Sequence, residues 1–346
     1  MKKIILFSIF LFSCSENQID FPFSDLSLDE ALALKSDKII FLDFYSDNWG
    51  ACVLLETETL SNHEVIDFSK EHLISIKLDA WNDSLGKELF AQYDGRLIPL
   101  LIFLNSDGEE IERIIGYENH TDFIEILNNV VNNDNTFMSL FEKYKNGNRS
   151  SDLIDKLSIK NEDRHDESFS AEICNIILND TDSFSSEAIE RAELYFAKLD
   201  TKSGNLDKIN KFIEQYKDSD NIVKAYHILM RYYRTQDNVS LESQTYQSLI
   251  ELFPDDPSIL NGYAWRMSEL DSELDDALEK VNKGLEIIEE SDPSYSHILD
   301  TKAEVLWKMG FFDKAIKVID EAISIDNESQ YYKDQKLKFL NSKEGI

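Results

Sequence analysis

The residues of this chain best suited to covalent chemistry are its three cysteines, Cys14, Cys52 and Cys174. A thiol attacks as its thiolate, and dithiol exchange needs a second thiol nearby to resolve the mixed disulfide. Cys52 closes the segment Asp43-Phe44-Tyr45-Ser46-Asp47-Asn48-Trp49-Gly50-Ala51-Cys52. Where a second cysteine would complete a C-x-x-C pair stands Trp49, whose indole carries no ionisable group. Cys52 is therefore expected as a buried structural thiol, with single-thiol redox work or modification as the alternatives. The histidines, His63, His72, His120, His165, His227 and His297, show no metal-ligand spacing. The glycines form no phosphate-binding loop, and no Ser-His-Asp set stands out. No metal and no cofactor is expected.

Charge narrows the partners. A set of 67 acidic against 35 basic side chains, a formal charge of −32, is spread along the chain and repels phosphate backbones and anionic headgroups. Nucleic acid is thereby excluded, and the plain reading of the surplus is a solvated acidic surface. At the N-terminus, Lys2 and Lys3 precede an apolar run from Ile4 to Phe12, too short for a spanning helix of about 20 residues. Residues 1–13 read as a secretory signal. Leu11-Phe12-Ser13-Cys14 is similar to a bacterial lipobox, which implies acylation of Cys14 and a mature chain starting there. An ordinary signal peptide with an incidental cysteine is the alternative. Residues 14–25 are expected as a tether. The protein is expected in the cell envelope, held by the Cys14 lipid and facing the periplasm or lying at the outer membrane or cell surface. That compartment permits disulfides, but Cys52 and Cys174 fall in different predicted domains, so two buried free thiols are expected.

These residues need a scaffold. From Leu26 to Val131 short helices alternate with apolar runs. The pattern predicts helix Leu28–Leu34, strand Ile39–Tyr45, helix Ala51–Leu60, a helix from His63 to His72 and strand Leu73–Leu78. Helix Gly86–Tyr93, strands Leu100–Leu104 and Glu110–Gly116, and helix Thr121–Val131 follow. Uninterrupted apolar strands imply burial on both faces, hence an α/β sandwich. Asn105-Ser106-Asp107-Gly108 has the composition of a hairpin turn. Asn132-Asn133-Asp134-Asn135 marks the expected domain junction, and over 136–346 every predicted element is helical.

The helical part repeats itself. Its last unit carries Ala303, Gly310, Phe312, Ala315 and Ala322 at a spacing that lets two helices pack closely, and it resembles a tetratricopeptide (TPR) repeat. Lys302 departs from the apolar residue preferred there. Tyr263-Ala264-Trp265 with Ala277 and Gly284 fits the same frame one unit earlier, given one inserted residue within 271–273. Repeats are placed at 222–254, 257–289 and 294–327, with a capping helix at 329–341 and weaker hairpins upstream. This resemblance implies protein partners in the groove of a solenoid.

Residues 26–131 resemble the thioredoxin superfamily, in particular the C-terminal domain branch of the membrane thiol-disulfide interchange proteins. Asp43-Phe44-Tyr45, Leu55-Glu56, Val65, Lys77-Leu78-Asp79, Ile98-Pro99-Leu100 and Gly116-Tyr117 carry the resemblance. It places the family's attacking cysteine on Trp49 and its resolving cysteine on Cys52. It also implies a cis bond before Pro99, a peptide strand held along Ile98, and a buried proton acceptor at Asp43. The fold expected is an α/β thioredoxin-like sandwich followed by an all-α TPR solenoid. The function expected is that of a lipid-anchored binding scaffold. Its thioredoxin-like domain has lost the nucleophile but keeps a peptide-holding face of Tyr45, Trp49, Ile98 and Pro99. The alternative is a thiol-disulfide redox accessory acting through Cys52 alone, with Asp43 as its vestigial acid.

Overall fold

The computed structural model describes residues 20–345, apart from 48, 165, 293 and 328. It divides between Ile173 and Cys174 into two compact units. In the first, α1 (Leu28–Ala33) opens with a capping box in which the Ser27 and Glu30 side chains each accept the other's backbone N–H. β1 (Ile39–Tyr45) leads into α2 (Gly50–Leu54), which continues as a π-helical turn through Leu60. Then come α3 (His63–His72), β2 (Leu73–Asp79), α4 (Ser84–Gln92), β3 (Leu100–Leu104), β4 (Glu110–Ile115) and α5 (His120–Asn132).

The sheet order is β2-β1-β3-β4. β1 runs parallel to β2, which requires the helical crossover through α2 and α3. β3 is antiparallel to both β1 and β4, so β3 and β4 need only a turn, with Gly108 at φ +84°. Successive strand residues face opposite sides. Ile40, Leu42 and Phe44 share one core with Leu28 and Ala31 of α1 and Leu89 of α4. Phe41 faces the other way, stacks on Phe103 at 5.0 Å and shares a second core with Phe123 and Leu127 of α5. Both faces are covered, which is why the strand sequences are apolar without interruption.

The expected tether ends early. Phe21 meets Phe41 at a ring distance of 6.1 Å, and Phe23 packs against the same core. Phe23 also forms a parallel bridge with Ser75, and the Ser24 N–H donates to the Ser75 carbonyl at 2.7 Å. These residues extend the β2 edge of the sheet because burying two phenylalanine rings outweighs leaving them in water. Cys14 and the remainder of the expected tether lie outside the described residues.

The polar break at 132–135 marks the change from mixed to helical elements, but the compact unit runs on to Ile173. The reason is a buried ion cluster joining β4 to α6 (Phe137–Lys145) and α7 (Ser151–Lys160). The buried Glu112 carboxylate accepts the Phe137 N–H at 3.1 Å and pairs with Lys160 at 2.5 Å and Arg164 at 3.5 Å. Arg164 also pairs with Glu110 and lies 3.7 Å from the Phe137 ring. A buried charge stripped of such partners is heavily penalised, so strand and hairpin depend on each other.

The unit boundary falls within α8 (Glu167–Asn179). After it come α9 (Ser186–Lys202), α10 (Asp207–Gln215), α11 (Ile222–Thr235), α12 (Val239–Leu252), α13 (Pro257–Glu269) and α14 (Leu274–Ile287). α15 (Tyr295–Lys308), α16 (Phe312–Ile325) and α17 (Gln330–Glu344) complete the chain of helices. Ala264, Ala277, Ala303, Ala315 and Ala322 are fully buried, since small side chains let helix axes approach. Tyr332 and Phe339 of α17 close the last core over Leu299 and Leu306. Gly310, at φ +80°, turns the last hairpin within 309–311, whereas the α13–α14 connection spans 270–273. Its additional residue includes Glu273 at φ +50°, whose carboxylate reaches into the hairpin to lie 2.7 Å from the Tyr263 hydroxyl and 2.8 Å from Ser243 Oγ. No helix among the described residues is long and apolar enough to cross a membrane.

Candidate functional site

Because β1 and β2 are parallel they end at one edge of the sheet, and antiparallel β3 begins there. Open α/β sheets hold ligands at the C-terminal ends of their parallel strands. Three loops meet this edge: 46–49, 80–83 and 93–99. The Trp49 N–H donates to the Ser46 carbonyl at 3.2 Å, turning the chain so that Trp49 becomes the N-cap of α2. Its indole is 43% exposed. The Trp49 carbonyl in turn accepts from the Cys52 N–H at 2.8 Å, which places Cys52 one turn inside, buried in the core of Phe44 and Leu100. Burial pushes the Cys52 thiol up to about 11; a backbone hydrogen bond at Ser46 opposes this and the Asp43 charge adds to it. Cys52 and Cys174 are both buried. Asn48 lies outside the described residues.

Asp43 occupies the middle of β1, 3% exposed and in register with Lys77 of β2. Burial pushes its carboxyl up to about 7, against the Lys77 charge and with the help of Glu56. Among the described residues its Oδ1 has no hydrogen-bond partner. Lys77 is committed elsewhere: Nζ lies 3.0 Å from both Glu56 carboxylate oxygens and 4.2 Å from the Tyr45 ring centre. Burial opposes the lysine's charge, but the Glu56 hydrogen bonds and the fields of Glu56 and Asp43 outweigh it and raise its pKa.

The expected apolar face is only partly formed. Ile98 is 4% exposed and Pro99 is buried, because both belong to the tightly packed entry into β3; Tyr45 is half-buried beneath Lys77. The Ile98–Pro99 bond is cis. Exposed apolar surface comes instead from Leu97 and from Trp81, 46% exposed, which the sequence alone does not single out. Trp81 meets Trp49 edge-on, with ring centres 5.5 Å apart at 80°. Asp79 builds this loop: its Oδ1 accepts the N–H groups of Trp81 and Asn82, each at 2.8 Å, and its Oδ2 accepts from Asn82 Nδ2 at 3.0 Å. The hydrogen bond from the Trp81 backbone, then those from Asn82, hold the Asp79 carboxyl below its ordinary range. An aspartate two residues before a tryptophan at a strand end is the signal that could have revealed this turn. Among the described residues no group of three or more His, Cys, Asp or Glu is arranged to hold a metal ion.

Gly86 sets how closely α4 approaches this loop. A Cβ there would stand 2.0 Å from the Asp79 carbonyl oxygen, a contact that backbone cannot relieve without moving. Gly86→Ala is expected to push α4 away from β2 and lower the stability of the first unit by about 1–3 kcal/mol, read as a shifted urea midpoint.

Residues 26–131 match the thioredoxin-like domain family. Similar solved structures include the DsbH oxidoreductase, 22% identical over 33% of this chain and 86% of that one, with a TM-score of 0.30. The C-terminal domain of Neisseria meningitidis DsbD in its oxidised form is 29% identical over 31% of this chain and 96% of that one, with a TM-score of 0.26. The MamA protein is 15% identical over 55% of this chain and 94% of that one, with a TM-score of 0.39. No curated protein matches the chain. The thioredoxin-like domain, an α/β sandwich, is thus followed, among the described residues, by an all-α region.

Proposed function

We propose that the protein is a non-catalytic, lipid-anchored scaffold. Its thioredoxin-like domain holds an extended peptide at the edge bearing Trp49, and its TPR-like helices recruit protein partners. The observation that carries this reading is Trp49 at the N-cap of α2. A helix N-terminus is where a thiolate is stabilised, and in the family this domain resembles that place belongs to the attacking cysteine; an indole cannot attack. Cys52 behind it is shielded, and a pKa near 11 leaves roughly one thiol in ten thousand ionised at pH 7. The lipobox-like Leu11-Phe12-Ser13-Cys14 supplies the anchor. From Cys14 to Phe21 the chain reaches at most about 25 Å, so an acylated Cys14 keeps the docked Phe21 close to the membrane surface.

A second reading, redox work through Cys52 in a mixed disulfide with a partner thiol, has one observation in its favour. Asp43, a buried carboxyl pushed up to about 7, can exchange a proton near neutral pH, as resolution of a mixed disulfide requires, although its charge raises the Cys52 thiol and does not activate it. Labelling the native protein with iodoacetamide between pH 7 and 9 separates the two. The scaffold reading expects Cys52 and Cys174 to react only after unfolding. A single fast thiol in the folded protein, lost in Cys52→Ser, would establish the redox reading instead.

A further inference from the structure

Resting on the peptide-holding reading above, we propose that the Trp49–Trp81 pair is a subsite for one basic side chain, lysine or arginine, of the bound peptide.

The pair stands where a ligand of this sheet belongs, on the loops that follow parallel β1 and β2. It is built and held. Trp49 is locked by its place at the N-cap of α2, and Trp81 by the two backbone hydrogen bonds that Asp79 accepts. Two rings meeting edge-on at 80° form a corner, and each keeps nearly half its surface open. A lysine or arginine stem can lie along one ring while its charge rests over the other, using the electron-rich face of indole.

The charge around the corner selects the same chemistry. Asp47 shares the loop of Trp49, while Asp79 and Asp83 flank Trp81. Of the basic groups on these elements, Lys77 is already bonded to Glu56 and Arg96 is paired with Asp94 at 3.0 Å, so Lys87 of α4 alone stands against three aspartates. An aliphatic side chain would fill the corner but leave this acidic rim unanswered, and an acidic one would be repelled. The field of a chain carrying −32 steers basic segments toward it.

The test uses the full mature chain in detergent and three blocked hexapeptides, acetyl-Ala-Val-Xaa-Val-Ala-Val-amide, with lysine, norleucine or glutamate at the third position. Titration calorimetry is expected to show the lysine peptide binding about five- to tenfold more tightly than the norleucine peptide, with the glutamate peptide weakest. The preference is expected to shrink at high salt and to vanish in Trp81→Leu, which keeps apolar area and removes the π face. Trp81 is half exposed on a loop, so the folding of that variant is checked by circular dichroism. Asp47→Asn is expected to reduce the preference about two- to threefold. Equal binding of the lysine and norleucine peptides overturns the subsite and leaves the peptide-holding reading standing. Binding of none of the three overturns both. A lysine preference that survives Trp81→Leu belongs to the acidic rim and overturns the aromatic subsite.

Discussion

Replacing Asp43 with Asn raises the stability of the first unit at pH 8 and lowers it by about 1 kcal/mol at pH 4. The folded carboxyl titrates near 7, whereas an unfolded aspartate titrates at about 3.9. Between those values the folded protein keeps a proton that the unfolded chain has released. Stability therefore falls as pH rises through this window, by at most about 1.4 kcal/mol per pH unit. Below pH 4 both states are protonated and the term disappears; above pH 7 the full penalty, about 4 kcal/mol, is in force. This sign is opposite to that of a salt-bridged carboxylate. Asn carries no charge into the core, but its amide brings a donor that costs about 1–2 kcal/mol if unpaired, so a net gain of about 2–3 kcal/mol is expected at pH 8. Urea denaturation of residues 20–173 at pH 4, 6 and 8 measures it, followed by the fluorescence of Trp49 and Trp81, the tryptophans of that span. A difference between variant and parent that stays constant with pH would show that Asp43 is not the group holding the proton.

Glu112→Ala is expected to cost about 2–4 kcal/mol, because it leaves Lys160 without its carboxylate and Arg164 with Glu110 alone, and removes the acceptor for the Phe137 N–H. The loss acts on the seam between β4 and the α6–α7 hairpin. Limited proteolysis is therefore expected to cut faster within 132–135, the polar stretch that leads into α6. Glu112→Gln retains an acceptor for the N–H but not the charge, and should fall between the two. By the same reasoning a fragment ending at residue 173 is more stable than one ending at 134. A loss below about 1 kcal/mol in Glu112→Ala, within the range of an exposed ion pair, would mean that packing alone holds the hairpin.

These two residues show where sequence reading stops. β1 and β3 coincide residue for residue with the predicted Ile39–Tyr45 and Leu100–Leu104, because a short apolar run between polar turns has few ways to be buried. The starts of α3 and α5 carry local caps, Asn62 and Asn119, that the structure brings out. The repeats were legible through small residues at fixed spacing, all of which need burial for close helix contact. The π-helical turn over Leu55–Leu60 was not, since nothing in those side chains distinguishes it from ordinary helix. Glu112 reads as one more charge on an acidic chain until its partners arrive from 48 and 52 positions away.

At the Trp49 loop the division is sharp. The sequence by itself determined that no thiol stands three residues before Cys52, for covalent chemistry depends on residue type and no fold can supply a missing nucleophile. Tertiary structure alone decided what surrounds that loop. It buried Ile98 and Pro99, which the peptide-holding face had been expected to include, and brought Trp81 from 32 positions away against Trp49. The reason is physical: exposure and neighbourhood at a sheet edge follow from strand register and crossover, which are set by packing across the whole domain and not by the residues nearest in the chain.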